Sequence, residues 1–404
     1  MLHSGHRGPR RVVPLGRLLS DKDRIAGYIR DYDAQGWHRT GSAADVTSAQ
    51  WLAAEVQALG LEADLEPVAL TRIDPQACFI EAEGRRVAGL PLFDGGFTGP
   101  DGISGRVGPL ASEAEIGVAE APPSEFHEAF DAERKAHRHQ ACVVVTLGGR
   151  QGLAVRNAPR FLSPFGPPVL QVSSEERDWI AQLSQRGSQA RLVASIARSQ
   201  AESYNVVARL SGQDPALRPL VVTTPRSGWW HCAAERGGGI AGWLHAMSKL
   251  RDEESPRDVL FVATTGHELG LLGVRSLVDR RPDLVQRCAA WLHFGASIGA
   301  ADAPRLQLAA SDAGLEEAAL GAVAMHGAGP VSVAPRGTMV GAESSFAFRR
   351  GARCVALAGG HATFHMEADR WPDAVDVEAA VSYANAFADL AVRLANGPEE
   401  HPLS

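Results

Sequence analysis

From Tyr204 to the C-terminus, apolar strand-like runs alternate with amphipathic helical runs joined by short connections. The strand-like runs are NVVARLSG, PLVVTT, DVLFVATT, AAWLHFGASIG and RCVALAGG, and the helical runs are GGIAGWLHAMSKLRD, ELGLLGVRSLVDRR and residues 315–326 and 377–395. Strands linked through helices usually lie parallel in one sheet, so this order predicts an α/β domain with a mostly parallel, mixed central sheet and helices on both faces. In such sheets ligands bind beyond the carboxyl ends of the strands, and functional residues are therefore sought in the loops there.

The part of the chain before Tyr204 has a different pattern. Two helical stretches, at about 21–35 and 48–59, are followed by short apolar runs separated by Gly and Pro, which are typical of strands and turns. Three of these runs are predicted as separate strands: ACVVVTLGG, PPVLQVS and ARLVASIA. The predicted organisation is a loose N-terminal arm at 1–20, an α/β domain formed by 21–88 and 200–404, and a β-rich insert or lid at 89–199.

Charge and cysteine usage restrict the classes of partner. The formal net charge is −7 and no dense basic run occurs, which argues against nucleic acid or an anionic membrane surface. No stretch has the roughly 18 consecutive apolar residues that a membrane span needs. The five cysteines are scattered and never form CxxC, a usage that fits a reducing cytoplasm. We therefore expect a cytoplasmic protein with a small-molecule substrate, and the sequence leaves open a homodimer.

The loop after PLVVTT, Thr223–Ile240, is dense in residues that bind or transform organic molecules. An arginine can grip a carboxylate, tryptophans can form an aromatic wall, and an acid near a helix start can serve as a cap or as a functional group. Packing alone would equally account for the tryptophans, and capping alone for the acid. The candidates in this loop are Arg226, Ser227, Trp229, Trp230 and Glu235.

Further candidates lie at three other strand ends. His267 and Glu268 follow the apolar run DVLFVATT after a single glycine, where a polar pair is costly unless it is paired or used. The loop GGHATFHMEADRWPDAVD offers His365 together with His361, Glu367 and Asp369. His293 lies in AAWLHFGASIG, where a buried structural histidine is the alternative. Histidine is both the commonest general base and the commonest metal ligand, so proton transfer and metal binding are both considered.

The order of these segments resembles the M28 family of zinc aminopeptidases. FVATTGHELGLLGVRSL is similar to the family's FVAF-x-x-EE-x-GLLGS segment, and FHMEADRWPDAVD is similar to its closing YHT-x-x-D-x-x-D-x-V-D. The resemblance runs from about Tyr204 to the last helix and extends weakly to the N-terminal helices. It implies an aminopeptidase-like fold and suggests that the insert is a protease-associated (PA) type domain.

The resemblance also implies two zinc ions, but this sequence departs from the family's ligands. The His-x-Asp position reads Pro225-Arg226-Ser227, and the position of a later Asp falls near Gly295, where no carboxylate is available. The bridging Asp corresponds to Glu235, the general-base Glu to His267, and the second Glu is kept as Glu268. The late His is kept as His365.

We therefore expect a degenerate metal site with no cofactor, and the alternative is a single zinc ion held by Glu235, Glu268 and His365. The favoured function is hydrolysis of an amide or ester bond in a small acidic or aromatic molecule. In this hypothesis His267 or His365 is the general base, Glu235 or Glu268 orients it, and Ser227 is the nucleophile or a hydrogen-bond donor. Substrate would contact Arg226, Trp229, Trp230 and His293. Two alternatives are a catalytically inactive binding or scaffold protein and a single-zinc peptidase or amidase.

Overall fold

The computed structural model describes residues 20–123 and 128–397. Apart from Ser20, the predicted N-terminal arm lies outside these residues. The ten helices of the described residues are α1 (Asp21–Asp33), α2 (Ala43–Ala58), α3 (Glu128–Ala136), α4 (Arg177–Arg186), α5 (Gly238–Arg251), α6 (Leu272–Arg280), α7 (Leu284–Arg287), α8 (Ala313–Met325), α9 (Ala342–Phe348) and α10 (Val377–Asn396). A 3₁₀ turn at Ser174–Glu176 precedes α4, and a π-helical turn at Ala233–Gly237 leads into α5.

Local capping explains where several helices begin. The side chains of Ser20, Ser42, Asp312 and Asp376 each accept a hydrogen bond from a backbone N–H in the first turn of the helix that follows. Such a cap satisfies one of the helix's orphan donors and contributes about 1 kcal/mol.

Fourteen strands in the described residues form one continuous pairing network. They are β1 (Ala63–Ala82), β2 (Arg85–Ala88), β3 (Leu90–Pro91), β4 (Ile103–Pro109), β5 (Ile116–Ala121), β6 (Ala141–Thr146), β7 (Val169–Val172), β8 (Gln189–Leu210), β9 (Leu220–Pro225), β10 (Val259–Thr264), β11 (Ala290–Phe294), β12 (Arg305–Ala310), β13 (Ser332–Val333) and β14 (Cys354–Gly360).

Four parallel strands, in the order β10-β9-β11-β14, form the centre of the larger part of this network. The antiparallel strand β8 flanks them at β10, and the antiparallel strand β12 flanks them at β14. Strands β9 and β11 are buried along their whole lengths, as expected for strands covered on both faces. The predicted mixed, mostly parallel α/β architecture is confirmed.

The structure corrects one detail of the strand prediction. ARLVASIA and NVVARLSG are parts of a single strand, β8, whose 22 residues pair antiparallel with the 20 residues of β1. The intervening segment RSQAESY has no Gly or Pro to stop it, and pairing with β1 keeps it extended. The strand therefore runs from the central sheet into the part of the fold built around β4–β7.

Residues 78–194 contribute to a second apolar core, in which Val143, Val145, Leu170 and Leu192 are fully or almost fully buried. Strands β4, β5, β6 and β7 lie parallel beside it. The domain boundaries and the PA-type character of the 89–199 insert stay predictions. Within the described residues, no helix combines the length and apolar content needed to cross a membrane.

Candidate active site

The loops after β9, β10 and β14 meet beyond the carboxyl ends of the central strands, and His293 of β11 reaches the same region. The apolar strands deliver these loops side by side because β10, β9, β11 and β14 are parallel and in register. The polar residues predicted from three separate strand ends are therefore brought to one side of the sheet.

Arg226 is fully buried and takes part in an internal ion pair. Its Nη1 donates to Asp45 Oδ1 at 2.8 Å and to the Asp45 carbonyl oxygen at 3.0 Å. Its Nε donates to the Tyr204 carbonyl oxygen at 2.8 Å, and its Nη2 donates to Ser203 Oγ at 3.1 Å. These partners hold the guanidinium in the protein interior, so Arg226 is not available to bind a ligand.

Ser227 and Glu268 belong to a second buried network. Ser227 Oγ donates to Glu268 Oε2 at 2.8 Å and accepts from the His267 backbone N–H at 3.3 Å. The other carboxylate oxygen, Glu268 Oε1, accepts from the backbone N–H and the hydroxyl of Thr40, at 2.9 and 2.6 Å. Both Ser227 and Glu268 have no exposed surface, and the two residues tie the loops after β9 and β10 to the N-terminal region.

The two tryptophans of the β9 loop are packed and hydrogen-bonded. Trp229 Nε1 donates to Asn157 Oδ1 at 3.0 Å, and its ring lies 4.8 Å from that of Phe93. Trp230 Nε1 donates to the His365 carbonyl oxygen at 2.9 Å. With exposures of 3% and 7%, they hold neighbouring loops in place rather than forming an open aromatic wall.

His267 forms the shortest histidine–carboxylate contact of the site, and its partner is Glu343 of α9. The Nδ1–Oε1 distance is 2.8 Å, and the carboxylate is 1% exposed. Burial by itself raises the pKa of Glu343, but the nearby His267, His293 and Arg236 outweigh it and lower the value to about 2. An ionised carboxylate can only accept, so Nδ1 of His267 carries a hydrogen, and in the neutral ring the lone pair is on Nε2.

Sequence reasoning missed Glu343. It lies 76 residues beyond His267 in a short helix, and a single Glu in a helical first turn looks like a dipole-favoured surface acid. The structure, and not the sequence, shows the constraint on this segment: Gly341 has φ +78°, and an added Cβ would lie 2.7 Å from His293 Cδ2. A residue with a side chain would displace the histidine there.

His293 lies against the same carboxylate. Its Nε2 is 3.7 Å from Glu343 Oε2, and its Nδ1 is 2.9 Å from the Thr223 hydroxyl, which in turn accepts from Trp291 Nε1. The ring is fully buried, and burial lowers its pKa to about 4 against the opposing effect of Glu343. His293 is therefore a neutral imidazole at neutral pH.

Glu235 and His365 form the other half of the site. Glu235 Oε1 lies 2.8 Å from Arg236 Nη2 and 3.4 Å from His365 Nε2. Burial raises the pKa of Glu235, yet Arg236 and the surrounding histidines outweigh burial and hold it at about 2. Nδ1 of His365 is 2.8 Å from the Val155 carbonyl oxygen, so Nδ1 carries the hydrogen and Nε2 is a bare acceptor.

His361 and Asp369 brace the loop after β14. Asp369 accepts from the backbone N–H groups of Ala234 and Glu235 at 2.8 and 2.9 Å, and His361 Nε2 lies 3.5 Å from its Oδ2. These contacts fix the π-helical turn that carries Glu235.

A cavity of about 440 Å³, the catalytic cavity, opens between these groups. Its walls include His267, His293, His365, Gly341 and Phe364. Ser227 and Glu268 do not line it. Of the predicted catalytic residues, only His267 and His365 reach this cavity, with His293 from the predicted binding set.

Comparison with known proteins identifies the fold. Neither a family model nor a curated protein sequence matches the chain. An aminopeptidase from Aneurinibacillus sp. strain AM-1 has a similar fold, with a TM-score of 0.72, 13% identity, and coverage of 95% of this chain and 96% of that one. BSAP, a zinc aminopeptidase from Bacillus subtilis, has a TM-score of 0.70, 16% identity, and coverage of 92% and 94% of the two chains. A peptidase M28 precursor from Shewanella amazonensis SB2B has a TM-score of 0.71, 17% identity, and coverage of 95% and 100%. The predicted resemblance is therefore confirmed at the level of fold.

These neighbours correct the expectation that no cofactor is involved. That expectation is contradicted because the B. subtilis protein of this fold is a zinc aminopeptidase. Zinc is thus the ion that the fold implies, and the residues present must be tested against it.

The residue arrangement does not fit the family's zinc centre. The alternative triad of Glu235, Glu268 and His365 is not assembled, because both oxygens of Glu268 are hydrogen-bonded to Thr40 and Ser227. The Arg236 guanidinium lies at ion-pair distance from Glu235, on the carboxylate that a cation would need. Across residues 20–123 and 128–397, no group of three or more His, Cys, Asp or Glu side chains is arranged to hold a metal ion.

Proposed function

We propose that the protein hydrolyses an amide or peptide bond in a small substrate bound in the catalytic cavity. The observation that carries this proposal is the His267–Glu343 pair, with Nδ1 and Oε1 2.8 Å apart at the wall of the cavity. A histidine oriented by a buried carboxylate through Nδ1 is the arrangement that general-base catalysis requires. The peptidase neighbours of the same fold support this reaction class by analogy.

The steps assigned to this chain concern proton transfer. His267 Nε2 takes a proton from water, whose oxygen attacks the carbonyl carbon of the scissile bond. Glu343 stabilises the imidazolium that forms. As the carbon–nitrogen bond breaks, the same proton passes from Nε2 to the leaving amine, so the histidine returns to its neutral state.

His293 and His365 are assigned complementary hydrogen-bonding roles. We assign His293 the tautomer in which the Thr223 hydroxyl donates to Nδ1 and Nε2, facing Glu343, carries the hydrogen. In that form Nε2 can donate to the carbonyl oxygen as negative charge develops there. His365 lines the cavity, and its buried Nε2, 3.4 Å from Glu235 Oε1, is assigned to accept from a substrate N–H that enters between the two groups. Both rings are held by buried partners, so they are positioned before substrate binds.

The test is a hydrolysis panel of aminoacyl anilides, N-acyl amino acids and aryl esters, using the purified full chain. On any substrate that turns over, we expect His267→Gln to lower kcat/KM by about 10²- to 10⁴-fold. We expect Glu343→Gln, which removes the orienting charge, to lower it by about 10- to 100-fold. His326→Gln is the matched control, since His326 also pairs with a carboxylate, Asp389 at 2.6 Å, but lies outside the catalytic cavity.

Three results would contradict the proposal. If the activity of His267→Gln is within threefold of that of the parent, His267 is not the general base. Stoichiometric zinc in the purified protein, with activity lost on its removal, would overturn water activation by His267. A panel on which nothing turns over, while the same compounds raise the melting temperature, would favour a binding protein.

A further inference from the structure

A second cavity, of about 670 Å³, adjoins the catalytic cavity and is called here the arginine cavity. The two cavities share Asn157, His267, Gly341 and Ala342. A ligand in one can therefore extend into the other past His267. The arginine cavity lies between the segment 156–165 and helices α6 and α9 of the central domain.

The walls of the arginine cavity are strongly positive. They carry five arginines and only two acids, Asp94 and Asp131, which leaves a formal excess of three positive charges. This excess is notable in a chain whose net charge is −7. Both acids are already engaged by one arginine, Arg134, at 2.9 and 3.2 Å.

Three of these arginines form no ion pair within the described parts of the chain: Arg160, Arg275 and Arg349. Their side chains are held by weaker contacts. The Arg160 guanidinium lies 5.3 Å from the centre of the Phe165 ring, and Arg275 Nε donates to the Gly270 carbonyl oxygen at 2.7 Å. Each of the three side chains is exposed and therefore accessible to a ligand.

The pKa of the neighbouring Arg350 is affected by the positive charges of this wall. This pKa is lowered, first by burial and then by the positive charges of Arg275 and Arg349, and Asp279 acts in the opposite direction. The arginines therefore repel one another, and a bound anion would reduce that repulsion.

We propose that the arginine cavity binds a carboxylate of the substrate, so that the preferred substrate is an amide or short peptide with an acidic residue beside the scissile bond. This inference rests on the proposed function, because it places the scissile bond at His267. Arg160, Arg275 and Arg349 are the residues assigned to carboxylate recognition. Guanidinium groups bind carboxylates through paired, charge-assisted hydrogen bonds, which neutral isosteres cannot replace.

The first experiment measures binding and does not require turnover. N-acetylglutamate and its neutral isostere N-acetylglutamine are titrated calorimetrically into the parent and into the Arg275→Ala/Arg349→Ala double variant. We expect the parent to bind the acid at least about tenfold more tightly than the amide, and the double variant to lose that difference. Arg287→Ala is the matched control, an exposed arginine on α7 that does not line the cavity.

The second experiment compares hydrolysis of glutamyl and glutaminyl anilides. We expect the double variant to raise KM for the glutamyl substrate by about tenfold or more, a larger increase than it causes for the glutaminyl substrate. Equal binding of acid and amide by the parent, or a preference that survives in the double variant, would overturn the arginine-cavity inference even if hydrolysis is observed. If no anilide is hydrolysed but the calorimetric difference appears and disappears as expected, the carboxylate site stands and the hydrolase proposal fails.

Discussion

Replacing Arg226 by methionine discriminates between a substrate-binding arginine and an internal one. The sequence places this residue at a strand end, where it predicts a carboxylate-binding role. The structure instead pairs its guanidinium with Asp45, and both side chains are 0% exposed. Methionine retains much of the length of the side chain but provides no positive charge.

The expected cost follows from what the substitution leaves behind. Asp45 loses its charged partner, and the carbonyl oxygens of Asp45 and Tyr204 each lose a donor. Removing one partner of a buried ion pair costs about 3–5 kcal/mol, because the remaining charge is desolvated and unpaired. Asp45 Oδ2 still accepts from Gly41 N–H and Ser203 Oγ, so we expect the lower part of that range.

The assay is urea denaturation followed by circular dichroism, with Arg209→Met as the control. Arg209 pairs with Asp258 at the surface, where such pairs contribute about 0–1 kcal/mol. Adding Asp45→Asn to Arg226→Met should recover part of the loss, because the stranded charge is removed. If Arg226→Met leaves the unfolding midpoint unchanged and raises KM for an acidic substrate, the structural role is wrong and Arg226 is a binding residue.

Three further perturbations test other parts of the site. The pKa values of His293 and His365 are lowered to about 4 from an ordinary 6.5, so the unfolded chain takes up protons first as pH falls. Stability should therefore be full above pH 6.5 and decline as pH falls towards 4, by roughly 3 kcal/mol for one such histidine, as measured by urea midpoints over this range. Gly341→Ala should displace His293 and reduce turnover while the circular dichroism spectrum is retained, since the added Cβ would lie 2.7 Å from Cδ2; full activity would contradict this. Glu268→Gln should lower the free energy of unfolding by about 1–3 kcal/mol, because an amide NH₂ would face a donor from Thr40 or Ser227. An unchanged denaturation curve would exclude the hydrogen bonds of Glu268 with Thr40 and Ser227.

The fold was predictable because its signal is distributed over many residues. Alternation of apolar strands and amphipathic helices after Tyr204 specified a parallel sheet, and no single position decided the outcome. The convergence of His267, His293 and His365 followed from the same reasoning, since parallel strands deliver their carboxyl ends to one side. The single strand β8 was misjudged because strand length depends on pairing with β1, which lies more than a hundred residues away.

The partners of the site residues were much less predictable. Whether a polar residue faces a cavity or the interior depends on which distant groups meet it. The sequence predicts a catalytic role for Glu268 but not its partners Thr40 and Ser227, which donate to both of its oxygens, and Glu343 carries no local signal of its role. Neither the spacing of residues nor their types encodes such contacts directly.

The placement of positive charge connects these observations. A carboxylate enclosed in protein stays ionised only when a cation or several donors compensate the loss of water. Asp45 has Arg226 as its partner, Glu235 has Arg236, and Glu343 has His267 and His293. Each of these three acids thus has a guanidinium or imidazole partner within the chain itself. Three arginines of the arginine cavity have no such acid partner within the described residues. We therefore expect the carboxylate of a ligand to pair with them.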